Sequence, residues 1–191
     1  MKRWTYVLGV VLVAATLLPS LVSAAGPYPQ TRQGWLVGLG LGGGSAGLTA
    51  DGESSDRTGG GAGSFRVGYA FQPQLSVDLN SSAWSKSENS TTLTFDVAAI
   101  GLSYYPAAVP GLLVHGGIGS GTESGTVVVG NTKFSESQSG LGFSVGAGWE
   151  FRLARTFAVG PEVNYGWMSL DSFDANYING GIAATWYFVP K

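Results

Sequence analysis

The last strand-like stretch of the sequence, residues 178–188, alternates between two kinds of side chain. Ile178, Ile182, Trp186 and Phe188 fall on every second or fourth position, and small or polar residues occupy most of the positions between them. Side chains of a β-strand point alternately to opposite faces, so this period of two places the apolar residues on one face. Aromatic residues crowded at one end are typical of a strand that meets lipid on one face only.

Seven earlier segments share this alternation. Their approximate bounds are 34–43, 64–71, 74–82, 91–105, a segment that begins near 112, 141–151 and 157–167. Between the apolar positions lie mostly glycine, alanine and serine. In the fourth segment the alternation changes phase near Ala98 and Ala99, which predicts a β-bulge there.

The composition resembles that of a membrane protein that lacks membrane helices. Charged residues make up only 12% of the chain, but no apolar run after the first 24 residues approaches the roughly 20 residues of a spanning helix. A closed barrel satisfies both facts, because lipid cannot hydrogen-bond to unpaired backbone groups. We therefore predict an all-β fold, an eight-stranded antiparallel up-and-down transmembrane β-barrel over residues 34–188. A soluble lipocalin-like barrel, with its apolar face inside, is the alternative, but the small residues of the second face disfavour it.

The N-terminal residues predict export. Lys2 and Arg3 precede an apolar stretch over 7–22, and small residues follow, as in a signal peptide that is cleaved after Ala24 or Ala25. Residues 25–33 then form a short periplasmic segment, and residues 189–191 form a C-terminal tail. Short turns alternate with longer polar stretches, which predicts periplasmic turns, external loops and a location in the outer membrane of a Gram-negative bacterium.

Aromatic residues near the predicted strand ends are expected to form girdles at the two membrane interfaces. The predicted girdle comprises Trp35, Phe71, Tyr105, Trp149, Phe151, Phe157, Trp167, Trp186 and Phe188.

Several ionisable residues fall on the glycine-rich face and should therefore point into the barrel. This predicted lumen cluster comprises Arg66, Asp78, Asp96, Glu150, Glu162 and His115. Strand pairing about the predicted turns brings Arg66 opposite about Asp78, and Asp78 opposite about Asp96. Such a row could be a proton or ion path or a structural polar plug, and the narrow interior of an eight-stranded barrel favours the plug.

Little in the sequence predicts catalysis or cofactor binding. The chain has no cysteine and only one histidine, so disulfides and thiolate metal sites are excluded, and no metal or cofactor is expected. A serine hydrolase needs a base beside its serine, but no serine lies two residues from His115. We expect no catalytic residues.

The eight alternating segments and the terminal aromatic Phe188 resemble the small eight-stranded outer-membrane β-barrel proteins, such as the barrel domain of OmpA and OmpX. The resemblance implies that the last strand is read by the barrel-assembly machinery, although the tail Val189–Lys191 departs from the family's usual aromatic end. Some small barrels of this kind modify lipid A, which leaves a lipid-modifying enzyme centred on His115 as an alternative function.

The predicted loops are acidic. Eight carboxylates outnumber three basic side chains, for a net loop charge of −5; the residues are Asp51, Glu53, Asp56, Glu88, Glu123, Glu136, Asp171 and Asp174 against Arg57, Lys86 and Lys133. This charge disfavours nucleic acid as a partner and would allow contact with lipopolysaccharide phosphates through divalent cations. We expect a monomeric, non-enzymatic barrel with a structural or surface-interaction role. A narrow pore for small solutes or ions is the main alternative.

Overall fold

A computed structural model describes residues 28, 32–50, 53–130 and 132–188. The predicted signal peptide, most of the segment 25–33 and the C-terminal tail lie outside the described residues. The strands are β1 (Gly34–Ala50), β2 (Glu53–Ser54), β3 (Thr58–Gln72), β4 (Leu75–Glu88), β5 (Thr91–Tyr104), β6 (Leu112–Val129), β7 (Thr132–Trp149), β8 (Phe151–Ala154), β9 (Phe157–Ser169) and β10 (Asp174–Phe188). In this part of the chain no helix is long and apolar enough to cross a membrane.

Eight long strands form a closed antiparallel ring. The ring runs β1-β3-β4-β5-β6-β7-β9-β10 and closes where β10 pairs with β1, with Trp35 opposite Phe188. The short β2 pairs only with β1, and β8 extends the line of β7 along β9 after an interruption at Glu150. The predicted eight-stranded up-and-down barrel is therefore confirmed.

The strands extend further at one end than the sequence pattern predicts. The polar stretches 85–90 and 123–137, expected as loops, lie largely within the hairpins β4–β5 and β6–β7. Most of their residues are polar or small, and the apolar ones in 123–137 include three consecutive valines, Val127, Val128 and Val129, so no alternation marks these strands. External segments predicted as loops are thus mainly extensions of the barrel wall.

The outer surface changes character along the strands. Near the short turns it carries exposed apolar side chains, among them Trp35, Leu41 and Ile100. Towards the other end, pairs of hydroxyl and carboxylate groups on neighbouring strands replace them. These outer pairs are Ser81–Asp96, Ser85–Thr94, Ser87–Thr92, Thr122–Ser139 and Thr126–Ser135. The apolar band fits the hydrocarbon layer, and the hydroxyl pairs lie where the strands rise into water.

The interior changes in the opposite sense. Beneath the apolar band it is polar, whereas beneath the hydroxyl pairs it holds a cluster of buried residues: Ala46, Trp84, Phe95, Val97, Ala99, Met168, Leu170, Ala175 and Tyr177. We call this cluster the apolar plug. The projecting part of the barrel is therefore built like a water-soluble barrel, with its apolar residues inside.

This inversion explains why the predicted bulge in β5 is wrong. Strands β4 and β5 pair without any register shift, and Phe95, Val97 and Ala99 all face inward. In the plug the apolar residues of β5 face inward and have odd numbers. In the lipid-facing band the apolar residues face outward and have even numbers, so the pattern changes phase without a bulge. Asp96 consequently points outward and is not part of the lumen.

Candidate functional site

Glu150 lies in the polar interior near the short turns between strands. Its carboxylate accepts hydrogen bonds from Arg32 at 3.0 and 3.2 Å and from the Tyr187 hydroxyl at 2.6 and 2.7 Å. The Arg66 guanidinium lies 4.0 Å away. All four side chains are buried, so the carboxylate neutralises arginines that water does not reach.

Two aromatic rings complete this cluster. The Arg32 guanidinium lies 3.8 Å from the centre of the Tyr105 ring, and that of Arg152 lies 3.9 Å from the centre of the Tyr187 ring. The two phenol oxygens are 3.4 Å apart. Arg32 lies just before β1, and its side chain helps to close the end of the barrel that carries the short turns.

Tyr105 and Trp149 were predicted for the interfacial girdle, and both predictions are wrong. Tyr105 continues the inward phase of β5 and is 3% exposed, whereas Trp149 is 6% exposed. The Trp149 indole lies against Gly111, where an added Cβ would be 2.8 Å from its Nε1. Their position near a strand end did not predict that both rings would be buried.

The remaining predicted girdle residues lie on the outer phase of their strands: Trp35, Phe71, Phe151, Phe157, Trp167, Trp186 and Phe188. Ring pairs join some of them across strands, such as Phe157–Trp186 at 5.1 Å between ring centres.

A second polar network fills the middle of the barrel. Asp78 accepts hydrogen bonds from Ser103 at 2.6 Å and from Asn80 at 2.9 Å. Arg66 donates to Ser103 at 3.4 Å, and Ser144 donates to Asn80 at 3.0 Å. The predicted row is therefore wrong in its register: Arg66 pairs with Asn80, Gly68 pairs with Asp78, and Asp78 lies opposite Gly101.

Glu162 and His115 lie inside, as predicted. Glu162 accepts hydrogen bonds from Ser64 at 3.1 Å and from Asn164 at 2.8 Å. His115 is 8% exposed, and neither of its ring nitrogens has a hydrogen-bond partner of good geometry.

The structure places a serine beside His115 that the sequence did not reveal. Ser103 is the cross-strand partner of His115, but its hydroxyl donates directly to Asp78. A catalytic triad needs the histidine between the serine and the acid. Ser103 is also completely buried, so this arrangement has neither the order nor the access of a hydrolase site.

Little space remains within the lumen. A cavity of about 20 Å³ borders Arg66, His115, Ser144, Glu162 and Asn164, which is room for about one water molecule. Beyond it, Tyr177 and Asn179 cross from β10 and donate to the backbone oxygens of Ser82 and Ala83. The apolar plug follows, so the polar interior does not continue to the outer end.

The β6–β7 hairpin is the most prominent external feature. Residues 132–139 of β7 pair with β6 on one side, and the pairing of β7 with β9 begins only at Leu141. Near the tip of the described part, Val129 and Phe134 are 62% and 60% exposed. Among the described residues, the hairpin therefore has an unpaired strand edge, and it presents apolar side chains to water; both are features of interaction surfaces.

Two external carboxylates have shifted pKa values. A hydrogen bond and the positive charge of Lys86 lower the pKa of Glu88. Partial burial, followed by the charge of Glu136, raises the pKa of Glu123. Glu123 pairs with Gln138 and Glu136 pairs with Gly125, so the two carboxylates lie diagonally across the hairpin.

Closed topology, a lipid-facing band and a filled lumen define the class as a small outer-membrane barrel. Residues 14–187 match the family described as outer membrane protein beta-barrel domain, and the chain belongs to that family. It is accordingly a protein of the bacterial outer membrane.

Two solved structures illustrate the fold. Ail, the attachment invasion locus protein of Yersinia pestis, has a TM-score of 0.57 and 15% identity, over 82% of this chain and 100% of Ail. Neisserial surface protein A has a TM-score of 0.55 and 12% identity, over 81% of this chain and 97% of that one. A further structure of Ail contains the heparin analogue sucrose octasulfate. The comparison with curated proteins found no match.

Proposed function

We propose that the protein is a non-conducting surface-interaction barrel, whose outer-membrane part is a rigid support for the β6–β7 hairpin. The observation that carries this proposal is the filled lumen together with the unpaired edge of residues 132–139. A pore would need a continuous polar path, whereas the apolar plug covers the outer end of the polar interior. An enzyme would need a site that substrate can reach, whereas Ser103 and His115 are buried.

The hairpin suits a polypeptide partner. Unpaired backbone N–H and C=O groups along one strand edge can add a strand from another chain. The exposed Val129 and Phe134 side chains would add apolar contact near the tip. A protein with an extended segment is therefore the partner we propose.

The acidic external residues disfavour anionic ligands. Ail binds a polyanion in one of its structures, but the net charge of −5 predicted for the loops here disfavours direct polyanion binding. Contact with lipopolysaccharide phosphates would need bridging divalent cations, and this remains a proposal. Recognition of the terminal strand by the barrel-assembly machinery, through the exposed Phe188, is likewise a proposal.

Hairpin trimming tests the surface-interaction function. Replacing residues 124–137 by Asn-Gly retains the pair Glu123–Gln138 and closes the shortened hairpin with a two-residue turn. Bacteria that display the native protein should adhere to surfaces coated with extracellular-matrix proteins more than bacteria that lack it. The trimmed variant should lose this gain while still showing heat-modifiable gel mobility. Equal adhesion by native and trimmed proteins would contradict the proposal.

A further inference from the structure

A cavity lies at the outer end of the barrel, where its lining residues Thr91 and Leu93 pair with Val127 and Gly125 of β6. It measures about 380 Å³ and is formed by the end of β1, residues 55–58, and the β4–β5 hairpin. This volume is within the usual range for small-molecule sites. It is far larger than the cavity inside the lumen, and it faces the external side.

The walls and floor of this outer cavity are apolar. Trp84 and Phe95 form the floor as a stacked pair, with 5.6 Å between ring centres, and Leu48 and Leu93 are partly buried beside them. The Trp84 Nε1 donates to the Gly44 backbone oxygen at 3.3 Å, so the floor has no free indole donor to offer. The body of a ligand here must therefore be apolar.

The rim is charged and has an excess of carboxylates. Lys86 and Glu88 form an ion pair of 2.7 Å, so each offsets the other. The exposed carboxylate of Asp56 has no ion pair or hydrogen bond among the described residues. Its neighbour Arg57 forms no ion pair with it among the described residues and donates its hydrogen bonds to Ser45 and Asn176 instead.

We propose that this outer cavity binds a small amphipathic amine, with its aromatic or short aliphatic body against Leu48, Leu93 and Phe95 and its protonated amine at Asp56. An apolar pocket whose lining has two carboxylates, Asp56 and Glu88, and one ammonium group, Lys86, selects a cation with an apolar body over a neutral or anionic molecule. This site is distinct from the hairpin and does not depend on the proposed adhesion.

Three ligands with the same phenyl body test the proposal. 2-Phenylethylamine, 2-phenylethanol and 3-phenylpropionate differ mainly in charge and can be titrated into the whole protein in lipid nanodiscs, with empty nanodiscs as the blank. Calorimetry or ligand-observed NMR should show the amine binding most tightly and the carboxylate least. Equal affinities for the three molecules, or no binding of the amine at millimolar concentrations, would overturn the proposal.

Two matched pairs of variants locate the binding. Asp56→Asn should weaken binding of the amine by about three- to fivefold, as expected for an exposed charge pair, and leave binding of the alcohol unchanged. Asp171→Asn, an exposed external carboxylate outside the cavity lining, should change neither.

Thr91→Phe should fill the outer cavity and abolish binding, whereas Thr92→Phe, on the opposite face of the same strand, should retain it. Heat-modifiable mobility verifies that each variant is folded. If folded Thr91→Phe bound the amine as well as the native protein, the cavity would not be the site.

Discussion

Glu150 is a residue whose burial gives its charge a large effect on stability. It receives hydrogen bonds from Arg32 and Tyr187 and lies near Arg66, all in the closed periplasmic half. Removing one partner of a buried ion pair typically costs about 3–5 kcal/mol, because the other charge remains uncompensated.

We expect Glu150→Gln to lower the free energy of unfolding by about that amount. Urea unfolding in lipid vesicles measures the change. The matched control is Glu88→Gln, whose partner Lys86 is 2.7 Å away on the surface, and it should leave stability unchanged. Equal effects of the two variants would contradict the burial of Glu150.

Asp78 and Asp96 provide a second comparison between residues. Asp78 is 2% exposed and accepts two side-chain hydrogen bonds, whereas Asp96 faces outward and accepts one from Ser81. Asp78→Ala should therefore destabilise the barrel by about 1–3 kcal/mol, because it leaves buried donors unpaired. Asp96→Ala should cost less than about 1 kcal/mol. If both variants lost a comparable free energy of unfolding, the outward orientation of Asp96 would be contradicted.

These two aspartates show what alternation can and cannot predict. Asp78 lies between apolar residues that face lipid, so its inward direction follows from the pattern. Asp96 lies above the lipid band, where the outward residues are polar and the inward ones apolar. The sequence carries the same period in both places, but the meaning of the apolar face depends on the height of the residue in the membrane.

At the scale of the elements, a glycine in β9 leaves space for a large side chain of β10. Gly166 lies beneath the Tyr177 ring, and an added Cβ would be 2.2 Å from the ring carbon Cζ. Gly180 has more space, since its nearest neighbour would be Val163 Cγ2 at 4.0 Å.

We expect Gly166→Ala to displace Tyr177 from the apolar plug and to cost about 1–3 kcal/mol, as for overpacking of a core. Gly180→Ala is the matched control and should be close to neutral. Urea unfolding of the two variants in the same vesicles measures the difference. An unaffected Gly166→Ala protein would show that the plug is not tightly packed.

The β6–β7 hairpin should respond to pH. Because the pKa of Glu123 is raised in the folded state, the folded hairpin binds more protons than the unfolded chain near that pKa. Its stability should therefore rise as pH falls through the raised pKa, and level off below the ordinary glutamate value of about 4.3. Hydrogen-exchange protection factors of hairpin amides measure this, and Glu123→Gln should flatten the profile. Falling protection with decreasing pH would contradict the shift.

Strand number and ring order were predictable from the sequence, but strand length was not. Eight alternating segments and short turns suffice to define the barrel. The outer ends of β6 and β7 mix serine, threonine and glycine with consecutive valines, so their pairing depends on backbone bonds and cross-strand hydroxyls that leave no periodic signal. The buried cluster around Glu150 was also missed in part. Arg32 lies outside any strand, and nothing in the alternation of β10 distinguishes Tyr187 from the other inward residues.

At the scale of the whole molecule, the barrel is divided into two halves with opposite interiors. The polar half is neutralised internally by Glu150, Asp78 and Glu162, and the apolar half is closed by the plug. The polar interior is left with small cavities of about 20, 20 and 10 Å³. We therefore propose that the barrel holds external hairpins in place and offers ions no continuous path.

Single-channel recording in planar lipid bilayers tests this closure most directly. Purified protein, whose insertion is verified by heat-modifiable mobility, should produce no conductance steps above the bare bilayer over a range of voltages. Reproducible, discrete current steps from the native protein would contradict the closed lumen and would favour the pore instead.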